Sequence, residues 1–337
     1  MINRILQKKI QSHIQISRKV LLIFGARQVG KTTLLKSVID PEDNQTLWIN
    51  ADQIKYHDAL SSRNLETLKE LIGYHKLLII DEGQNIPDLG INLKIIFDEL
   101  PDVKIITTGS SSLDLADSTR EALTGRTVSY TLYPVSVEEL LQDQTIFEIK
   151  SNLPSYLVHG MYPEILTIQG AQNKIAHLRE LVSSYLYRDV LKLSNIRHSD
   201  KIHKLLQLLA YQIGNLVSVH ELSNVLGISH EAVTHYIDLL EKGFVIKRLS
   251  GFSNNPRKEV NKMDKIYFTD LGIRNALIED FNSIEIRSDI GNIWENFLFM
   301  ERQKYLHYNS IYGKVWFWRA YSGAELDLIE QRDNKLY

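Results

Sequence analysis

Apolar positions along the chain alternate between helical spacing and short unbroken runs. This is the pattern of helices interleaved with strands buried on both faces. Ile2, Ile5, Leu6 and Ile10 recur at helical spacing and predict an amphipathic opening helix. Val20–Phe24 is an unbroken apolar run of strand length. Leu34, Leu35 and Val38 form one face of a helix that Asp40-Pro41 stops. Leu47-Trp48-Ile49 predicts a short buried strand, and Leu65, Leu68, Leu71 and Ile72 a helix. The run K-L-L-I-I-D-E at 76–82 predicts a strand, and Leu93, Ile96, Phe97 and Leu100 a helix closed by Pro101. Val103–Thr108 and Thr127–Leu132 give two further strands, and Val135–Gln142 reads as helix. The sum is an α/β core built on a parallel sheet.

The second half reads differently. Residues 151–200 are helix-rich, with breaks predicted at Pro154, Gly160 and Pro163, as in a small helical lid. Leu205, Leu208 and Leu209 share a helix, Val219–Leu226 forms another, and Gly227 turns the chain. Ser229 caps a further helix running to Glu241, and Phe244–Leu249 begins a strand. This is a helix-turn-helix with a wing. Lys265–Phe268 and Val315–Arg319 read as strands, and Asp270–Leu277 and Ile290–Arg302 as helices. The last of these carries Ile293, Trp294, Phe297 and Leu298 on its apolar side. Glu325–Glu330 carries charged and apolar residues with period two, which sets Glu325 and Asp327 on a shared face, with Glu330 a further candidate for it. Lys335-Leu336-Tyr337 starts a return strand of three residues, which predicts a chain truncated relative to longer relatives.

Chemistry concentrates at two strand ends. Gly25-Ala26-Arg27-Gln28-Val29-Gly30-Lys31-Thr32 stands between the first strand and a helix pattern. This is G-x-x-x-x-G-K-[ST] in the context that makes it a phosphate loop. The glycines let successive N–H groups converge on phosphate oxygens, and the helix beginning at Lys31, Thr32 and Thr33 adds its positive dipole end. Lys31 reaches the β- and γ-phosphates, and the Thr32 hydroxyl ligates Mg²⁺. Asp81 and Glu82 fall at the carboxyl end of a buried strand, where open α/β sheets place ligands. Asp81 there holds Mg²⁺ through water, and Glu82 acts as general base on the attacking water. Thr108 or Ser110, at the tip of the fourth strand, is the candidate for sensing the γ-phosphate or positioning water. Arg120 and Arg126 are candidates to act on a neighbouring copy's nucleotide, and Arg188 is the lid arginine.

Charge alters the reading of the helix-turn-helix. Its second helix holds Glu231, Asp238 and Glu241 against Lys242, which repels phosphates. The wing carries Lys247, Arg248, Arg257, Lys258, Lys262 and Lys265 against Glu259 and Asp264, so nucleic-acid backbone contact through the wing stays open beside a protein partner. The formal net charge of −2 argues against a wholesale polyanion binder. The absence of cysteine excludes disulfides and thiol catalysis. No membrane-spanning run or signal peptide is visible, so a cytoplasmic protein is the default.

The order G-A-R-Q-V-G-K-T, I-I-D-E-G-Q, T-G-S-S-S, G-M-Y-P-E, Y-R-D-V, K-I-Y-F-T-D-L-G-I-R-N, W-E-N and G-A-E-L-D-L resembles a large prokaryotic family of AAA-type P-loop ATPases. In that family a winged helix joins the ATPase to a C-terminal domain similar to restriction-endonuclease-like nucleases. The resemblance implies ATP as the nucleotide and an oligomer as the working form. It also implies four regions: an ATPase core at 1–145, a helical lid at 146–200, a winged helix at 201–260 and a partial nuclease-like domain at 261–337. Glu295 and Asp327 match two acidic positions of the nuclease pattern. The Glu-x-Lys strand that would complete it falls beyond Tyr337, so no nuclease activity is expected of this chain. Three activities stand as alternatives: ATP hydrolysis driving rearrangement of an assembly, a nucleotide-switched adaptor with slow turnover, or a DNA-binding protein that ATP drives along nucleic acid.

Overall fold

The computed structural model describes residues 2–110, 122–186, 199–253, 263–320, 323–333 and 335–337. The chain divides into two compact units, Met1–Tyr133 and Pro134–Tyr337.

The first unit is built on a five-stranded parallel sheet. Its strands are β1 (Val20–Phe24), β2 (Thr46–Asn50), β3 (Leu77–Asp81), β4 (Lys104–Gly109) and β5 (Thr127–Thr131), in the spatial order β2-β3-β4-β1-β5. Helices α1 (Leu6–Ile16), α2 (Lys31–Val38), α3 (Leu65–Ile72) and α4 (Leu89–Glu99) accompany it. All five β1 residues are buried, as a central strand covered on both faces requires. β2 is an edge strand, and within it Thr46 and Ile49 are buried while Leu47 and Trp48 are half-buried. The order fixes where a ligand goes. From β1 the chain leaves toward β2, and from β4 it leaves toward β5. The crevice at the carboxyl ends of β1 and β4 is therefore the topological switch point.

The second unit holds α5 (Val137–Leu140), α6 (Ile146–His159), α7 (Pro163–Thr167) and α8 (Ala171–Glu180), followed by α9 (Ser199–Tyr211). The chain then runs β6 (Leu216–Val217), α10 (Val219–Leu226), α11 (His230–Lys242), β7 (Ile246–Leu249) and β8 (Asp264–Phe268). These three strands form an antiparallel sheet in the order β6-β8-β7. Next come α12 (Leu271–Leu277), α13 (Ile290–Tyr308) and an antiparallel sheet of β9 (Lys314–Arg319), β10 (Glu325–Arg332) and β11 (Lys335–Leu336).

Two sequence expectations are corrected here. Pro154 lies inside α6 and does not break it. The carbonyl that loses its donor belongs to exposed Lys150, which water can satisfy, while buried Ile149, Tyr156, Leu157 and Val158 hold the helix in place. On α13 the buried face is Ile293, Asn296, Phe297, Met300 and Lys304, whereas Trp294 and Leu298 are exposed. Polar side chains took the inner positions because they have backbone partners there. The Asn296 amide accepts from the Phe268 N–H (2.7 Å) and donates to the Phe268 carbonyl (2.9 Å). Lys304 donates to the Val135 carbonyl at 3.0 Å.

The stretches G-M-Y-P-E and T-D-L-G-I-R-N form one junction. Asp270 accepts from the N–H groups of Gly272 (2.8 Å) and Ile273 (3.2 Å), capping α12, and from Met161 N–H at 2.7 Å. Asn275 donates to the carbonyls of Leu157 and Val158 at the end of α6. A Cβ on Gly160 would lie 2.1 Å from Asp270 Oδ1, and one on Gly272 would lie 2.0 Å from the His159 carbonyl oxygen. Only hydrogen fits at either position.

Candidate nucleotide site

The loop Gly25–Gly30 crosses the carboxyl end of β1 and feeds α2, whose first turn carries Lys31, Thr32 and Thr33. Its start is pressed against the chain after β5. The Leu132 N–H donates to the Phe24 carbonyl at 2.7 Å, and a Cβ on Gly25 (φ 154°) would meet the Leu132 carbonyl oxygen at 2.3 Å. Gln28 adopts φ 58°, and buried Val29 anchors the loop beneath. Arg4 supports it from the N-terminal segment, donating to the carbonyls of Val29 (3.0 Å) and Tyr133 (2.5 Å). Nothing in the sequence distinguishes Arg4 from an ordinary surface arginine. α2 opens without a side-chain cap, the form in which a helix N-terminus meets an anion.

Lys31 is buried, and its ammonium donates to the carbonyls of Gly25 (2.9 Å) and Ala26 (3.1 Å). It lies 3.8 Å from Glu82 Oε1. The Thr32 hydroxyl donates to Asp81 Oδ2 at 2.6 Å, so a hydroxyl and a carboxylate from opposite sides of the crevice stand side by side. These hard oxygen donors fit Mg²⁺, which takes one or two protein ligands and completes its shell with phosphate and water. Among the described residues no group of three or more His, Asp or Glu could hold a metal by itself.

Thr108 and Ser110 take different parts. Thr108 is fully buried; its hydroxyl donates to Asp81 Oδ1 (2.5 Å) and accepts from the Glu82 N–H (3.0 Å). It fixes the acidic pair and has no reach left toward a phosphate. The bond to the Glu82 N–H helps to hold Glu82 at φ 56°, ψ 43°, a left-handed conformation that costs a non-glycine residue about 1 kcal/mol. Ser110 lies just past β4, with its N–H and hydroxyl both on the Gln84 amide.

Arg126 does not reach this crevice. The Arg126 carbonyl accepts from the Val20 N–H, which places the residue at the amino edge of the sheet, and its guanidinium pairs with Asp98 at 2.9 Å. The length of β5, roughly 16 Å, separates it from the loop end of its own sheet. Arg120 and Arg188 lie outside the described residues.

Glu295 and Asp327 do come together, around a residue the sequence reading left among the wing charges. Lys265 is buried on β8, with its ammonium 2.8 Å from Glu295, 2.6 Å from Glu325 and 3.3 Å from Asp327. The Tyr267 hydroxyl donates to Glu295 at 2.6 Å. Burial opposes the Lys265 charge, but hydrogen bonds to Glu295 and Glu325 outweigh it and raise its pKa. A bulge in β10 between Leu326 and Ile329 shifts the alternation, and Glu330 pairs with Arg302 of α13. Other basic residues that the sequence assigns to a wing are also paired. Arg248 pairs with Asp238 and Glu241 at 2.6 Å each, and Lys247 with Glu241 at 3.3 Å. Arg257, Lys258 and Lys262 lie outside the described residues.

A 2-3-4-1-5 parallel sheet, a glycine loop at its switch point and an Asp-Glu pair at the end of β3, one strand beyond β4, are the marks of a P-loop domain of AAA type. Residues 17–141 match the family model described as an AAA domain. Residues 150–283 and 290–337 match two models described as domains of unknown function, DUF8612 and DUF4143. An uncharacterized protein of Mycobacterium tuberculosis is 28% identical over 322 residues, covering 94% of this chain and 69% of that protein. An uncharacterized protein of Methanocaldococcus jannaschii is 28% identical over 316 residues, covering 81% of this chain and 65% of that protein. The chain thus spans about two thirds of the length of these relatives. Among solved structures, the Walker-type ATPase of Pyrococcus abyssi superposes with a TM-score of 0.58 at 15% identity, over 82% of this chain and 96% of that one. That likeness is one of fold. No helix among the described residues is long and apolar enough to cross a membrane.

Proposed function

We propose that this chain hydrolyses ATP with Mg²⁺ and couples hydrolysis to rearrangement of an assembly of its own copies. The observation that carries the reading is the convergence of Lys31, Thr32, Asp81 and Glu82 on one crevice, with Thr32 and Asp81 in direct contact. Lys31 exchanges its loop carbonyls for phosphate oxygens of the substrate. Thr32 and Asp81 would hold the metal, which when bound would screen phosphate charge. Glu82 takes the proton of the attacking water as the water oxygen bonds to the γ-phosphorus and the bond to the β–γ bridging oxygen breaks. ADP and inorganic phosphate leave. Arg126 cannot serve its own site from the amino edge of the sheet, so it and Arg120 are candidates to act on a neighbouring copy.

The test is steady-state ATP hydrolysis against protein concentration for the native chain and Glu82→Gln. A rate per chain that rises with concentration and collapses in Glu82→Gln supports the reading. ATP binding with no turnover above the Glu82→Gln background would leave the nucleotide-switched adaptor in its place.

In the second unit, the order α9-β6-α10-α11-β7-β8 supports a winged-helix reading, and the acidic α11 favours a protein partner over DNA. Its Asp238 and Glu241 already neutralise Lys247 and Arg248 of the wing. A salt titration of duplex DNA binding separates the two, since a phosphate-binding wing loses affinity steeply with salt. The carboxylates around Lys265 are read as a structural charge centre. No nucleolytic step is assigned to them.

A further inference from the structure

The stretch D-E-G-Q contains a residue for which the hydrolysis scheme above has no role. Gln84 lies two positions beyond Glu82 in the 3₁₀ turn Gly83–Asn85. The left-handed backbone at Glu82 folds the chain back, so the Gln84 amide reaches the Glu82 carboxylate. Gln84 Nε2 donates to Glu82 Oε2 at 2.6 Å and lies 3.1 Å from Ser110 Oγ, while Gln84 Oε1 accepts from the Ser110 N–H at 3.3 Å. The orientation of the amide is not arbitrary. A backbone N–H faces one end and a carboxylate the other, so the carbonyl must face Ser110 and the NH₂ must face Glu82. The turn is fixed from its other side by Asn85, whose amide donates to Asp52 at 2.9 Å.

Three consequences follow from this geometry. Gln84 engages one oxygen of Glu82 and leaves Oε1 as the oxygen on the Lys31 side of the crevice. The two NH₂ hydrogens serve Glu82 and the Ser110 oxygen, so the Ser110 hydroxyl hydrogen can point to a phosphate while the amide stays in place. Ser110 and Glu82 are thereby joined through one rigid planar group. We propose that Gln84 is a positioning residue coupling the tip of β4 to the general base. A γ-phosphate oxygen that accepts from the Ser110 hydroxyl holds Ser110 against the Gln84 amide, and the amide keeps Glu82 aimed at the attacking water. This rests on the ATPase reading above and adds how that site distinguishes a triphosphate from a diphosphate.

The test measures kcat, KM and the pH profile for Gln84→Ala, Gln84→Asn, Gln84→Glu and Ser110→Ala, beside binding of fluorescent ATP and ADP analogues. Misaiming a general base costs about 100-fold in rate. Gln84→Ala should therefore lose about that in kcat with KM within about threefold. Gln84→Asn, one methylene short of Glu82, should not rescue it. Gln84→Glu places two carboxylates in contact, which raises the pKa of one of them, so the acidic limb of its kcat profile should move to higher pH. A Gln84→Ala chain with kcat within about twofold of the native chain, or a Gln84→Glu profile superimposable on the native one, overturns the proposal. Should the native chain show no turnover above Glu82→Gln, the ATPase reading falls by itself. The coupling is then judged on binding. A preference for ATP over ADP that drops alike in Gln84→Ala and Ser110→Ala supports it, and an unchanged preference in Gln84→Ala overturns it.

Discussion

Lys31 and Lys265, two of the buried lysines that face carboxylates, are held in opposite ways. Lys31 donates to two neutral backbone carbonyls and keeps Glu82 at 3.8 Å, beyond hydrogen-bond distance. Lys265 has three carboxylates within 3.3 Å, two of them at 2.8 Å or less. Carbonyls are weak competitors for an ammonium when a polyphosphate arrives, whereas a carboxylate cage is a strong one. The first arrangement suits a side chain that must change partners, and the second one that must never do so. Similar residue types therefore make an exchangeable contact near one end of the chain and a fixed charge centre near the other.

The most severe way to break the comparison is Glu82→Gln. It should lower kcat by about 1,000-fold while ATP binding persists, read by single-turnover hydrolysis and equilibrium binding. Lys265→Met comes next, because it leaves Glu295, Glu325 and Asp327 repelling one another around an apolar stem. It should destabilise the second unit by about 3 kcal/mol in a denaturant titration. Adding Glu295→Gln and Glu325→Gln to that variant should recover part of the loss; no recovery would show that packing, not charge, is what Lys265 supplies.

A smaller effect belongs to Asp289. Burial pushes its carboxyl up, but Arg287 and Arg274 more than offset this and hold it at about 2. A depressed carboxyl stabilises the fold above the ordinary carboxylate range and loses that contribution as pH falls through its folded value. The native chain should therefore lose about 2 kcal/mol between about pH 4 and pH 2 that Asp289→Asn, already without it, does not lose. The smallest effect is at the Arg126–Asp98 pair, a third exposed on both sides. Asp98→Asn should change stability by less than about 1 kcal/mol in the same titration. Arg126→Ala should matter only in assembled chains, where mixing it with Glu82→Gln chains tests whether one copy completes another's site.

Much of the first unit was legible because its signals are local. The glycine loop, the helix it opens and the acidic pair each occupy a few consecutive residues, and β1 and β3 read as apolar runs. What could not be read depended on distant register. Lys265 counted as one wing charge among six, since nothing near it in sequence announces carboxylates 30 and 62 positions away. Trp294 and Leu298 looked like core, and Lys304 did not, because hydrophobicity cannot show that Val135 offers a carbonyl. Pro154 looked like a helix end because the rule concerns an isolated helix and not one with a packed face. Gln84 was visible in its motif, but its role depends on the left-handed turn at Glu82, which the sequence does not declare.

The junction at Gly160 and Gly272 has a mechanical consequence. With hydrogen as the only tolerated substituent at both positions, and Asp270 and Asn275 tying α6 to α12 through backbone groups, the contact has no slack. It transmits displacement as a strut does: a shift of α6 along its axis carries α12, and with it the chain leading into β8, as one piece. Motion in the second unit is then confined to elements outside that strut.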